Sequence, residues 1–162
     1  MSTKVSVGTT INASPETTWS VIERIDAHVN WMADAESITF ATTQHAGVGA
    51  IFNCRTKIGP IRFVDIMSIT AWVPGEAMGV EHRGVVRGSG VFTLRECGGQ
   101  RTRFSWEEQL TFPWWLGGRV GERVAVPLLA HIWRGNLARL KHIVEALPQG
   151  SSGDPIDRTL SA

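Results

Sequence analysis

From Ser89 to Phe112 the chain reads SGVFTLRECGGQRTRFSWEEQLTF. Two β-rich runs, Ser89–Arg95 and Arg101–Phe112, flank the turn residues Gly98 and Gly99. Such runs on either side of a short glycine-containing break predict a β-hairpin. Successive side chains on a strand point to opposite faces. Phe92 and Leu94 therefore share one face of the first run, and Phe104, Trp106, Glu108 and Leu110 share one face of the second.

The same texture extends upstream to Glu36. Ser37–Thr43, Ala50–Ile58, Arg62–Trp72 and Ala77–Arg83 read as further strands. The breaks between runs carry Ala46-Gly47-Val48-Gly49, Gly59-Pro60, Pro74-Gly75 and Gly84. Six consecutive strands with tight turns imply an antiparallel meander, because parallel neighbours need long crossovers. Phe52 and Cys54 share a face of their strand, as do Met78, Val80 and His82.

After Pro113 the period changes. Val120, Val124, Leu128, Ile132 or Trp133, Leu137, Leu140, Val144 and Leu147 recur at helical spacing. They predict a helix over Arg119–Leu147, kinked or broken at Pro127, which removes one backbone hydrogen bond. At the other end Val5–Ile11 reads as a strand. Ser14 fits a helix N-cap, Pro15 the first helical position and Glu16 the positive end of the helix dipole. Trp19, Ile22 and Ile25 form one stripe, and Asp26 is placed to cap a second short turn through Val29 and Trp31. The predicted fold is α+β: a seven-stranded antiparallel sheet, two short helices after its first strand, and a long C-terminal helix. That helix is the only element large enough to cover the apolar face of the sheet. A twisted sheet around one helix leaves a space that suits an apolar ligand. Residues 1–147 form one domain, and 148–162, rich in Gly, Ser and Pro, read as a flexible tail.

Composition narrows the function. The chain has 162 residues, 16 Lys plus Arg and 15 Asp plus Glu, for a formal charge of +1. That balance gives no electrostatic case for nucleic acid or an anionic membrane. There are seven Trp, six Phe and no Tyr, which excludes tyrosine acid chemistry. Cys54 and Cys97 are too few for a disulfide framework or a zinc site and read as small packed hydrophobes. No apolar run is long enough for a membrane span, and Met1–Lys4 leads straight into a strand without a signal peptide, so a cytoplasmic location is expected.

Several segments resemble, in order, the SRPBCC superfamily, also called START-like or helix-grip. They are Ala13-Ser14-Pro15-Glu16-Thr17-Thr18-Trp19, Asp26-Ala27-His28-Val29-Asn30-Trp31, Gly47-Val48-Gly49, Gly90-Val91-Phe92-Thr93-Leu94 with Arg101-Thr102-Arg103-Phe104-Ser105-Trp106, and Leu137-Ala138-Arg139-Leu140-Lys141. The resemblance spans about residues 4–147 and is nearest the polyketide cyclase/dehydrase-like subgroup. It implies a helix-grip fold with a hydrophobic cavity, and the Phe92 and Trp106 faces as its concave side. The ring-hydroxylase branch is excluded, because the iron-binding histidine pair and the added cluster domain are missing.

On this frame Phe52, Met78, His82, Phe92, Phe104, Trp106, Glu108, Trp115, Leu129, Trp133 and Leu137 are the candidate ligand-binding residues. The alternative is that they simply fill the core. If Phe104 and Trp106 point inward, so does Glu108, and His82 is the obvious proton partner, which makes Glu108 and His82 the candidate catalytic pair. Asp65 and Arg55 are weaker candidates; Glu108 paired to an arginine at the rim is the alternative. Phe112-Pro113-Trp114-Trp115-Leu116-Gly117-Gly118 forms an apolar hinge, where the two Trp either cap the core or serve as a lid or contact surface. His28, His45, His131 and His142 show no metal-ligand spacing, and no metal or cofactor is expected. Gly84, Gly88 and Gly90 do not form a phosphate loop.

Three functions fit: binding of a small hydrophobic molecule such as a lipid, polyketide or aromatic metabolite; a polyketide cyclase or dehydratase using Glu108 and His82; or a regulatory interaction module acting through Trp114 and Trp115. The expected assembly is a monomer or homodimer without nucleic acid. Trp106 and Trp133 are expected to face the pocket from opposite sides, and a pocket walled by Trp and Phe offers indole N–H donors, hence a flat ligand bearing acceptors.

Overall fold

The computed structural model describes residues 2–114 and 118–148. Strand β1 (Thr3–Ile11) leads into helix α1 (Pro15–Ile22) and a 3-10 helix (Ile25–Asn30). Six strands follow: β2 (Ala35–Phe40), β3 (Ile51–Ile58), β4 (Ile61–Val73), β5 (Ala77–Arg83), β6 (Arg87–Glu96) and β7 (Thr102–Thr111). The long helix α2 (Gly118–Glu145) comes last. All seven strands form one antiparallel sheet in the order β1-β7-β6-β5-β4-β3-β2. Each hairpin turn joins neighbours, and only β1 pairs with a strand distant in sequence, β7. The expected tail, apart from Pro148, lies outside the described residues.

Local chemistry explains the N-terminal elements. Ser14 is extended, its hydroxyl accepts from the Thr17 N–H at 3.2 Å, and Pro15 and Glu16 fill the first turn. Helix α1 ends at Ile22, so Ile25 belongs to the 3-10 helix, although both stay buried with Trp19. Asp26 is not its cap: Arg24 holds that position without a side-chain hydrogen bond, and Asp26 lies in the first turn.

Helix α2 is unbroken across Pro127. Pro127 is exposed, so the carbonyl it leaves unpaired can turn to water instead of breaking the helix. The apolar stripe of α2 divides in two. Trp133, Leu137, Leu140 and Val144 are buried in the core with Leu129 and Ala130. Val120, Val124 and Leu128 are exposed, Val124 by 63%.

The C-terminal half of α2 is fastened by polar contacts. Lys141 Nζ donates to the Thr10 carbonyl at 2.7 Å and to Glu145 Oε1 at 2.6 Å, and Glu145 accepts from the Asn12 N–H at 2.7 Å. Asn136, 0% exposed, accepts at Oδ1 from the Ala33 N–H at 3.0 Å and from Arg139 Nη2 at 2.5 Å. Its Nδ2 donates to Asp34 Oδ1 at 2.7 Å, and Arg139 Nε donates to the Trp31 carbonyl at 3.0 Å. These bonds anchor one half of α2 to β1 and to the segment before β2. The other half borders a cavity.

Candidate functional site

The cavity measures about 350 Å³ and lies between the sheet and α2. Gly121, Val124, Ala125 and Leu128 line it from the helix, and Ile58, Ile61 and Phe63 from the β3–β4 hairpin. Strand alternation supplies most of the wall: Phe52 and Cys54 from β3, Met78 and Val80 from β5, Phe92 from β6, Trp106 and Leu110 from β7. Trp106 and Trp133 do not oppose each other across the space. They stack, with ring centroids 4.5 Å apart and planes 18° apart, and Phe92 packs edge-on to Trp106 at 5.2 Å.

One buried charged cluster interrupts the apolar wall. Asp65 on β4, His82 on β5 and Glu108 on β7 are all buried and all line the cavity. His82 Nδ1 lies 2.5 Å from Asp65 Oδ2, and its Nε2 lies 3.1 Å from Glu108 Oε2. Burial by itself would lower the His82 pKa. The hydrogen bonds to Asp65 and then Glu108, and the charges of both carboxyl groups, outweigh it and raise the value to about 9. His82 is therefore an imidazolium at neutral pH, donating from both nitrogens. The outer oxygens are also held: Trp106 Nε1 donates to Glu108 Oε1 at 2.9 Å, and the Gly84 N–H donates to Asp65 Oδ1 at 3.2 Å. With both His82 nitrogens committed to donation, the trio has no imidazole lone pair for a metal, and no metal-holding group occurs among the described residues.

Two glycines make room for this cluster. Gly90 on β6 is directly opposite Glu108, and a Cβ at Gly90 would fall on the Glu108 carboxyl group. A Cβ at Gly84 would fall on Asp65 Oδ1. Neither glycine has a positive φ, so each is required for close approach.

Asp34 and His28 also border the space. Asp34 accepts from Asn136, as above, and from Trp133 Nε1 at 3.4 Å. His28 Nε2 lies 2.7 Å from the Ile22 carbonyl, which can only accept, so Nε2 carries the proton. Burial lowers the His28 pKa to about 4, against the Ile22 hydrogen bond and the charge of Asp26, and the ring is neutral. Burial raises the Cys54 thiol to about 11, so it stays protonated on the wall.

Of the residues singled out from sequence, Phe52, Met78, His82, Phe92, Trp106, Glu108, Leu129 and Trp133 border the cavity. Phe104 and Leu137 do not: both are packed into the core, Phe104 at 0% exposure and 5.3 Å from Phe92. They lie on the expected faces but belong to the part of the core that does not border the cavity. Trp115 lies outside the described residues. Trp114 is 85% exposed and so does not cap the core. Arg55 is exposed on the opposite face of β3 from Phe52 and Cys54, and Cys97 is exposed next to the β6–β7 turn instead of being packed. Asp65, ranked below His82, is its nearest partner. Its phase with Phe63, Met67 and Ile69 was the available signal. Asp34, His28 and Asn136 had no comparable signal, because they lie in non-strand segments or on the helix.

A seven-stranded antiparallel sheet gripping one long C-terminal helix over an apolar cavity defines the helix-grip, START-like class. By sequence, residues 2–145 match the family described as polyketide cyclase / dehydrase and lipid transport, and the chain belongs to that family. No curated protein matches it by sequence. Among solved structures it is similar to the ZhuI aromatase/cyclase from Streptomyces sp. R1128, with a TM-score of 0.75, 11% identity, and 95% of this chain and 100% of that one covered. TTHA0849 from Thermus thermophilus gives a TM-score of 0.73 at 16% identity, covering 88% and 97%. A START superfamily protein from Mycobacterium smegmatis gives 0.70 at 14% identity, covering 86% and 98%. At these identities the likeness is one of fold.

Proposed function

We propose that the protein binds a small, largely apolar molecule between the sheet and the N-terminal half of α2, with the ligand's polar end turned to Asp65, His82 and Glu108. The cavity itself carries this reading. Protein interiors are packed to crystal density with few voids larger than a water molecule, yet about 350 Å³ is open here beneath Phe52, Met78, Phe92 and Trp106. Burying apolar ligand surface there gains roughly 25 cal/mol per Å² before association costs. The family description names both cyclase chemistry and lipid transport, and both involve apolar ligands.

Trp106 and Trp133 line the site, so their emission is the natural probe. Titration with long-chain alcohols, amines, fatty acids and aromatic polyketides is expected to give at least one saturable change, matched by calorimetry. No emission change and no heat with any of them would overturn the reading.

The hydrogen-bonded chain Asp65–His82–Glu108 favours a second reading, a cyclase or dehydratase acting on a polyketide-like substrate. The cavity would fold the substrate, and His82 and Glu108 would move protons at carbons beside carbonyl groups. Glu108→Gln is then expected to abolish turnover while sparing binding; unchanged turnover would remove Glu108 from that role.

A further inference from the structure

We infer that the cavity selects its ligand by charge: it takes an apolar molecule ending in a protonated amine and turns away the matching carboxylate. This rests on the apolar-ligand reading above and adds the class of head group.

Among the described residues lining the cavity there is no lysine or arginine. Three carboxyl groups, of Asp34, Asp65 and Glu108, border it against one imidazolium, His82. The strong donors present are already engaged by those carboxyl groups. Trp106 Nε1 is held by Glu108, Trp133 Nε1 by Asp34, and both His82 nitrogens by Asp65 and Glu108. The buried indole N–H groups of Trp19 and Trp31 have no partner, but neither residue lines the cavity. What remains on the donor side is weak: the Cys54 thiol, and the Thr56 hydroxyl, 3.7 Å from Cys54 Sγ.

The acceptor side is open. Each oxygen of Asp34, Asp65 and Glu108 receives a single hydrogen bond in the contacts above, leaving lone-pair capacity. His28, which also lines the cavity, contributes another acceptor: its Nε2 proton goes to the Ile22 carbonyl, so Nδ1 of the neutral ring carries a lone pair. Asp65 is paired with Cys54 across β3 and β4, and both Asp34 and Asp65 act electrostatically on the Cys54 thiol, so these two acidic groups share one part of the wall. A carboxylate entering this wall would lose its water and find the one cation, His82, already paired with two carboxyl groups and no free strong donor. An ammonium group would bring three donors and the complementary charge. This reverses the expectation of an acceptor-bearing ligand: the indole donors foreseen from the tryptophan count are present, but the protein consumes them itself.

Matched probes test the inference on the wild-type protein. Decylamine, decanol and decanoate share a tail and differ only in head group. They would be titrated by calorimetry at pH 7, below micelle-forming concentrations. The expected order is amine, then alcohol, then carboxylate, with amine over carboxylate by at least about tenfold. Glu108→Gln and Asp34→Asn should each narrow that ratio several-fold. Equal affinities, or decanoate binding tightest, would overturn charge selection while leaving the apolar-ligand reading intact. Failure of all three to bind would count against that reading, and charge selection would fall with it. The ranking on the wild type decides the matter even if a variant does not fold.

Discussion

Replacing Gly90 by alanine tests whether the charged cluster depends on an absent side chain. Gly90 is in extended backbone in the middle of β6, where alanine would ordinarily be favoured over glycine by roughly 0.5–1 kcal/mol. Here the new methyl group would fall on the Glu108 carboxyl group. Glu108 must then leave its seat and give up the bonds from Trp106 Nε1 at 2.9 Å and His82 Nε2 at 3.1 Å. Hydrogen bonds to charged groups contribute about 1.5–3 kcal/mol each. Losing both, offset by the alanine gain, gives a net cost of about 2–5 kcal/mol. For a domain of this size that is a melting temperature lower by roughly 4–20 °C. The His82 pKa should fall below about 9 as one of its two carboxyl partners withdraws. Thermal unfolding and an NMR titration of the imidazole measure both effects. The decisive control is the same substitution in a Glu108→Ala background, where the methyl has nothing to displace and its cost should drop below about 1 kcal/mol. Equal costs in the two backgrounds would show that Gly90 matters for some other reason, and an unchanged melting temperature would refute the steric argument outright.

Stability should also peak near pH 6.5. The folded His82 pKa is raised from 6.5 to about 9, so its stabilisation, about 3 kcal/mol, is complete below pH 6.5 and is lost as pH rises through 9. The folded His28 pKa is lowered to about 4, so its contribution is complete above pH 6.5 and is lost as pH falls through 4. Urea midpoints between pH 4 and 10 measure the two flanks, and His82→Gln should remove the alkaline fall; its persistence in that variant would assign it elsewhere. Asn136→Ala strips partners from the Ala33 N–H and Asp34 and should cost about 2–4 kcal/mol by chemical denaturation. A cost below about 1 kcal/mol would mean that α2 is held to the segment before β2 by apolar packing alone.

The element order was legible because the strands, turns and long helix each carry their own local chemistry. The cap Ser14-Pro15-Glu16, the glycine turns and the period change after Pro113 all act within a few residues of sequence. Face assignment was legible too, because Phe104, Trp106, Glu108 and Leu110 alternate strictly and every one of them is buried. What local chemistry cannot supply is where along a face the packing ends and the cavity begins. Phe104 and Trp106 are equivalent by alternation, yet only Trp106 borders the cavity. The difference is set by α2, which is fastened at its C-terminal half through Asn136, Lys141 and Glu145.

The same limit explains the site. His82 and Glu108 were suggested by phase, but the bond between them depends on what separates their strands. β5 and β7 are not neighbours; β6 runs between them. An ordinary residue at position 90 would put a side chain into the gap that Glu108 must cross to reach His82. Glycine at that position lets two strands on either side of a third share a hydrogen bond over its backbone. The information therefore sits in a residue with no side chain, and in its register with Glu108, neither of which a search for chemically active residues selects. Gly84, just after β5, leaves room for the Asp65 carboxyl group on the neighbouring strand β4. Together the two glycines let three strands contribute to one buried charge cluster, whose carboxyl groups give the cavity its acidic character.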